Sequence, residues 1–285
     1  MRPASEVPGG AGVKIEFNIL GPPELVAGEH QSISVSPQLW CVVVCLLMAP
    51  NVSVPVEVII DRLWGEYPPP KARPTIRSYI WRIDRALSGT QAPDGGSVRV
   101  RRQAHGYALE IEPHAVDLHR FRSLKRQADA LADSGEVPHA AELLKEAEGI
   151  WRGLALAGLP GEWIGRVRGA LEEERREATV RRIELELMLG RHAALLAELS
   201  TLGERYPMDE TLAGQQMQAL YRSGRRFDAL RAYREVRARL VAEGIEPGPE
   251  LARLYERILR HDPELRDHAS IPACGTATAA EHPSG

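Results

Sequence analysis

Between residues 71 and 109 the chain sets cationic side chains along one helix face and then along a short hairpin. In Lys71-Ala-Arg-Pro-Thr-Ile-Arg-Ser-Tyr-Ile-Trp-Arg-Ile-Asp-Arg-Ala-Leu87, the apolar residues Ile76, Ile80, Ile83 and Leu87 recur at helical spacing. At about 100° per residue, Arg77, Ser78, Trp81, Arg82 and Arg85 fall on the opposite side. Two strands of a hairpin, the basic Val98–Arg102 and Tyr107–Ile111, are expected next, joined by Gln103-Ala-His-Gly106. An apolar-backed, cationic-fronted helix beside a cationic hairpin has the chemistry to enter a groove of duplex DNA and hold its phosphates. The guanidinium groups of Arg77 and Arg82 match guanine O6 and N7. Arg73, Arg85, Arg101 and Arg102 suit phosphates. Trp81 has two readings: packing on a thymine methyl or sugar edge, or sitting against the second domain. A solvated basic surface is the plainer alternative for the whole patch.

The elements that must position this patch are legible upstream. Val13, Ile15, Phe17 and Ile19 alternate with other residues at the period of a half-buried strand, and Gly21-Pro22-Pro23 ends it. Leu25-Val26 and Ile33 to Val35 suggest two further strands around a Gly28-Glu29 turn. Pro37 to Met48 is apolar throughout and predicts a buried helix. A second helix is expected through Trp64, with Ser53 as N-cap, Pro55 in its first turn, and Val58, Ile59, Leu63 and Trp64 inward. Gly65-Glu-Tyr-Pro-Pro-Pro70 must be a stiff loop, since successive prolines exclude helix. Ser88 to Ser97 is expected to be a loop. A small sheet, three helices and a terminal hairpin make a winged helix-turn-helix, with the third helix as reader and the hairpin as wing. Tyr79, Trp64 and Tyr107 are expected in its packing rather than on its contact face.

The charge distribution agrees with a local cationic patch. The 285 residues carry 36 Lys+Arg against 39 Asp+Glu, a net of −3. Residues 71–102 hold eight basic residues and two acidic ones, Asp84 and Asp94, so 8 − 2 gives +6. Enzymatic motifs are missing. None of the four lysines follows a glycine, which excludes a Gly-Lys phosphate loop. The nine histidines are scattered, no Gly-x-Ser-x-Gly occurs, and Cys41, Cys45 and Cys274 are too few and too dispersed for a metal site or disulfide framework. Cys41 and Cys45 suit buried thiols on one helix face. No cofactor and no catalytic residue is expected. No apolar run reaches the roughly 18 residues of a membrane span, and a cytoplasmic, nucleoid-associated protein without a membrane partner is expected.

From Asp117 onward the pattern is helical. Asp117 is expected to cap a helix burying Leu118, Phe121, Leu124 and Leu131; Gly135 ends it, and Pro138 opens another through Trp151. Trp151, Trp163 and Tyr233 fit helix-packing positions, and Glu172–Glu177 is expected on a solvated face. Leu-Gly190-Arg-His-Ala-Ala-Leu resembles Ser-Gly224-Arg-Arg-Phe-Asp-Ala-Leu, and 224 − 190 = 34 is the tetratricopeptide period. The expected fold class is mainly α with a small β component: a winged helix-turn-helix domain followed by an all-α tetratricopeptide-like repeat domain. The expected boundaries are 1–12 disordered, 13–112 winged helix, 117–265 helical repeats and 266–285 a disordered tail.

In this order the chain resembles the Streptomyces antibiotic regulatory protein family, an OmpR-type winged helix fused to a bacterial transcriptional activation domain. The matching residues are Phe17-Asn-Ile-Leu-Gly-Pro22, Asp61-Arg-Leu-Trp-Gly65, Thr75-Ile-Arg-Ser-Tyr-Ile-Trp-Arg-Ile83 and His105-Gly-Tyr-Ala-Leu109 in the first half. The second half adds Asp117-Leu-His-Arg-Phe121, Leu220-Tyr-Arg-Ser-Gly-Arg225 and Gly244-Ile-Glu-Pro-Gly-Pro-Glu-Leu251. The resemblance runs from about residue 13 to 265. It implies a transcription activator of a biosynthetic gene cluster that binds direct repeats near a promoter, as two protomers, and contacts RNA polymerase holoenzyme. Carried over by position, it puts Thr75, Arg77, Ser78 and Arg82 on the reading face and Arg101, Arg102 and His105 in the wing. Glu66, Tyr67 and Lys71 fall in the loop that touches polymerase in OmpR-like proteins. Asp84, Trp81 and Pro37-Gln-Leu-Trp40 depart from the family pattern. Asp84, Trp81 and the arginine missing from the start of the first helix leave open a protein-interaction adaptor whose helical repeats bind a partner while the winged helix is degenerate, and activation is not separable here from promoter-occluding repression.

Overall fold

The computed structural model describes residues 13–28, 31–32, 35–88, 90–91 and 98–265. The disorder expected for 1–12 and 266–285 lies outside these residues, as do Ile33, Ser34 and residues 92–97. The chain divides into two compact units, one of residues 1–130 and 142–179, the other of 131–141 and 180–285.

In the first unit, β1 (Val13–Asn18) pairs antiparallel with β2 (Glu24–Ala27), which pairs with β3 (Gln31–Ser32). The third strand therefore lies two residues before its expected start, because Gly28 reverses the chain and Val26 pairs with Ser32. A strand missed in the sequence, β5 (Thr90–Gln91), pairs parallel with Val13 and Lys14 inside the stretch expected to be loop.

Helix α1 (Pro37–Leu47) buries every residue from Leu39 on, as its apolar run requires. Helix α2 (Val56–Trp64) starts later than expected, and Ser53 is not its cap. Instead β4 (Val54–Pro55) uses its backbone to pair with β7 (Gly106–Glu110), which also pairs with β6 (Arg99–Gln103). Gly106 makes this possible: a Cβ there would sit 2.1 Å from the Val54 carbonyl oxygen. Of the α2 residues expected inward, Ile59 is fully buried and Val58, Leu63 and Trp64 are half-buried. Helix α3 (Ala72–Leu87) buries Ala72, Ile76, Ile80, Ile83 and Leu87, so the apolar stripe packs as its spacing dictates, against α1 and α2. Tyr107 is buried and Tyr79 half-buried. The result is a winged helix-turn-helix in which the three-stranded sheet β4-β7-β6 contacts α3 through β6 and α1 through β7.

The same unit continues into helix α4 (Asp117–Asp133) as far as residue 130, the C-terminal part of α5 (Val137–Gly149) and the start of α6 (Glu162–Met188). Asp117 is no ordinary helix cap. Its buried carboxylate accepts the backbone N–H of Ile19 at 2.8 Å, of Leu20 at 2.8 Å and of Leu118 at 2.7 Å. The strand end is also held by Arg152 N–H donating to the Leu20 carbonyl at 2.8 Å and Leu156 N–H to that of Ile19 at 3.0 Å. Trp151 lies past the end of α5, buried edge-on against Phe121 with ring centroids 5.4 Å apart. The Glu172–Glu177 run is not merely solvated. Glu174 holds Arg122 through two hydrogen bonds of 2.6 and 2.8 Å, and Glu177 holds Lys125 at 2.6 Å, joining α6 to α4.

In the second unit, α7 (His192–Arg205), α8 (Glu210–Arg222), α9 (Arg226–Ala242) and α10 (Pro249–Leu259) pack each on the next. One core gathers Ile183, Leu187, Leu195, Leu199 and Leu212; another gathers Met217, Leu220, Tyr233, Val236, Leu251 and Ile258. The sequence echo has a backbone cause. Gly190 and Gly224 take φ of 75° and 77°, and the next N–H in each case donates back to the carbonyl five residues earlier, Arg191 to Glu186 and Arg225 to Leu220, both at 2.9 Å. The same left-handed glycine stop closes a helix at both places.

Candidate nucleic-acid interface

Burial of the Ile76, Ile80, Ile83 and Leu87 stripe turns the opposite side of α3 outward, and Arg77, Ser78, Trp81, Arg82 and Arg85 are all exposed on it. Arg77 and Arg82 form no ion pair among the described residues. The Arg85 guanidinium lies over the Trp81 ring, 5.3 Å from its centroid. Two expected contacts sit differently. Arg73, on the flank of the helix, forms an ion pair with Glu57 of α2. Thr75 is half-buried and its hydroxyl donates to the Lys71 carbonyl at 2.8 Å, closing the first turn.

The wing sorts its arginines by face. Side chains alternate along a strand, so Arg99 and Arg101 point one way and Arg102 the other. Arg99 lies directly opposite Glu110 in the β6–β7 register, and Glu110 holds both Arg99 at 2.7 Å and Arg101 at 2.9 Å. Hydrogen bonds from Arg101 and then Arg99 keep the Glu110 carboxyl below its ordinary range. Arg102 is exposed and has no ion pair among the described residues. His105 is exposed at the hairpin tip, and its carbonyl accepts the N–H of Val56 at 3.1 Å. Arg101 and Arg102 are thus neighbours in sequence but not on one surface.

Asp84, left unassigned by its charge, has a structural partner. Its Oδ1 accepts the backbone N–H of Val100 at 3.3 Å, tying β6 to α3. Glu57, Glu110 and Asp84 were not among the expected functional residues. Only Glu110 had a signal, since a tight hairpin sets it across from Arg99. In the loop between α2 and α3, Glu66, Tyr67 and Lys71 are exposed, Tyr67 by 87%.

Burial pushes the Cys41 thiol up and the Cys45 thiol to about 12, despite the Arg62 guanidinium beside Cys45. Among the described residues no three His, Cys, Asp or Glu side chains are grouped to hold a metal, and no helix is long and apolar enough to cross a membrane.

A winged helix with an exposed cationic face on its third helix, followed by glycine-stopped helical hairpins, has the architecture of a transcriptional regulator. Residues 116–259 match the family described as the bacterial transcriptional activator domain. The chain is 37% identical to the regulatory protein DnrI of Streptomyces peucetius, over 93% of this chain and 100% of that one. It is also 37% identical to the regulatory protein AfsR of Streptomyces griseus, over 91% of this chain but only 26% of AfsR. A solved structure of Mycobacterium tuberculosis EmbR, in complex with a low affinity phosphopeptide, superposes with a TM-score of 0.81 at 31% identity, covering 89% of this chain and 68% of that one. The chain belongs to the Streptomyces antibiotic regulatory protein family. Proteins of this family are transcriptional regulators that bind DNA, not enzymes.

Proposed function

We propose that the chain is a sequence-specific activator that lays α3 in the major groove of duplex DNA, with residues 13–112 as the binding half and 117–265 as the activating half. The observation that carries this reading is the outward face of α3, where Arg77 and Arg82 stand exposed with no carboxylate among the described residues to neutralise them. Arg77, Ser78 and Arg82 address base edges, Trp81 packs among them, and Arg85 and Arg102 meet phosphates. Arg73, Thr75, Arg101 and His105 flank this surface; Arg73 and Arg101 reach DNA only by loosening their pairs with Glu57 and Glu110. Glu66, Tyr67 and Lys71 present the loop offered to RNA polymerase holoenzyme.

The targets in this reading are direct repeats near promoters of an antibiotic gene cluster, occupied by two protomers, in a cytoplasmic, nucleoid-associated protein. The names of DnrI and EmbR as regulatory proteins support the direction, and DnrI matches along its whole length. The adaptor alternative loses one of its motives, because Asp84 ties the wing to α3. Repression is separated from activation by transcription with purified polymerase.

The test starts from duplexes selected out of a random library by the full-length chain. Arg82→Ala is expected to weaken binding to the selected duplex by about 1–3 kcal/mol and to relax its sequence preference. An unchanged affinity and preference would remove Arg82 from the reading face.

A further inference from the structure

We propose that Trp81 reads the 5-methyl group of a thymine, with Arg85 holding its indole in place; this rests on α3 lying in the major groove. Trp81 is 59% exposed, although a large apolar ring on a helix is ordinarily buried. It sits on the outward face, flanked on the helical wheel by Arg77 on one side and Arg85, Ser78 and Arg82 on the other. A face meant only for phosphates has no use for an indole at this position. The floor of the major groove carries donors, acceptors and a single apolar group, the thymine C5-methyl. Among the base edges of that groove, the methyl is the group that an apolar ring in this position is suited to cover.

Arg85, one turn further along, places its guanidinium over the indole, 5.3 Å from the centroid. The stacking covers one side of the ring and restrains it before DNA arrives, which lowers the cost of ordering it on binding. The arginine remains charged and keeps its donors for a neighbouring phosphate. Trp81 is therefore one specificity-determining residue, beside the arginines that address base edges, and Arg85 is its positioning residue.

The test uses a duplex selected from a random library by the full-length chain, with each thymine replaced in turn by uracil, which removes only the methyl group. At one position the wild-type chain should bind about fourfold more weakly, the worth of one methyl group taken out of water. Trp81→Ala should bind thymine and uracil duplexes equally at that position, and Trp81→Phe should restore part of the difference. The slope of affinity against salt should stay the same in both variants, since no phosphate contact is removed. The proposal is overturned if no uracil substitution weakens wild-type binding, or if Trp81→Ala keeps the same uracil penalty. If the chain selects no duplex at all, major-groove binding itself fails, and thymine reading falls with it.

Discussion

At the scale of single residues, charge alone is a poor guide to which arginines are available. The count of eight basic residues between 71 and 102 does not say which of them are paired, and the fold divides them. Glu57 takes up Arg73, Glu110 takes up Arg99 and Arg101, and Arg77, Arg82 and Arg102 are left without an ion pair among the described residues. The division follows from strand alternation and helix flank, neither of which a charge count contains. For DNA binding, Arg102→Ala should lower the slope of log affinity against log salt by about 0.9, the value of one phosphate contact. Arg101→Ala should lower it by less, because Glu110 already balances that charge. Titrations at a series of salt concentrations compare the two, and a larger loss for Arg101→Ala would reverse the assignment of the wing faces.

Elements were more legible than their joints. The Ile76, Ile80, Ile83 and Leu87 stripe predicted both the α3 helix and its outward face, because a 3.6-residue period leaves no other packing. The glycine repeat at 190 and 224 likewise announced two helix stops. The pairing of Val54–Pro55 with Gly106–Tyr107 was not legible, since two residues carry no periodicity and Ser53 before a proline mimics a helix start. Nor was the Asp84 bond to Val100, which joins a helix to a strand 16 residues on. That bond ties β6 of the wing to α3. Asp84→Ala should speed hydrogen exchange of the Val100 amide roughly 2- to 10-fold, the worth of one net hydrogen bond, while the amides of α3 keep their protection. Unchanged exchange at Val100 would mean that the β6–β7 ladder alone holds the wing.

Across the molecule, the winged helix does not end where its sequence pattern ends. Asp117 receives the N–H groups of Ile19 and Leu20 from 98 and 97 residues away, and the backbone near Arg152 returns to the same strand end. Burial raises the Asp117 carboxyl above its ordinary value, against the pull of those N–H donors and of Arg152. Beside this junction His119 is half-buried, with Nε2 3.1 Å from the Leu47 carbonyl, and burial holds its pKa below the ordinary histidine value. The unfolded chain then takes up a proton more readily than the folded one. Stability from neutral His119 is present above about pH 6.5 and is lost as pH falls below it. Urea unfolding at pH 5 to 8 should show this loss, and His119→Gln should flatten the histidine-dependent part; a dependence of the same size in the variant would place its origin elsewhere. The claim on which function depends is that the full-length chain puts the Arg82 face of α3 into the major groove. Methylation of guanine N7 by dimethyl sulfate on a selected duplex probes that groove directly. Wild-type protein should protect at least one guanine in the bound site, and Arg82→Ala should restore its methylation while neighbouring phosphates stay covered. Guanines methylated equally with and without wild-type protein, on a duplex it nonetheless binds, would contradict the placement of α3 in the major groove.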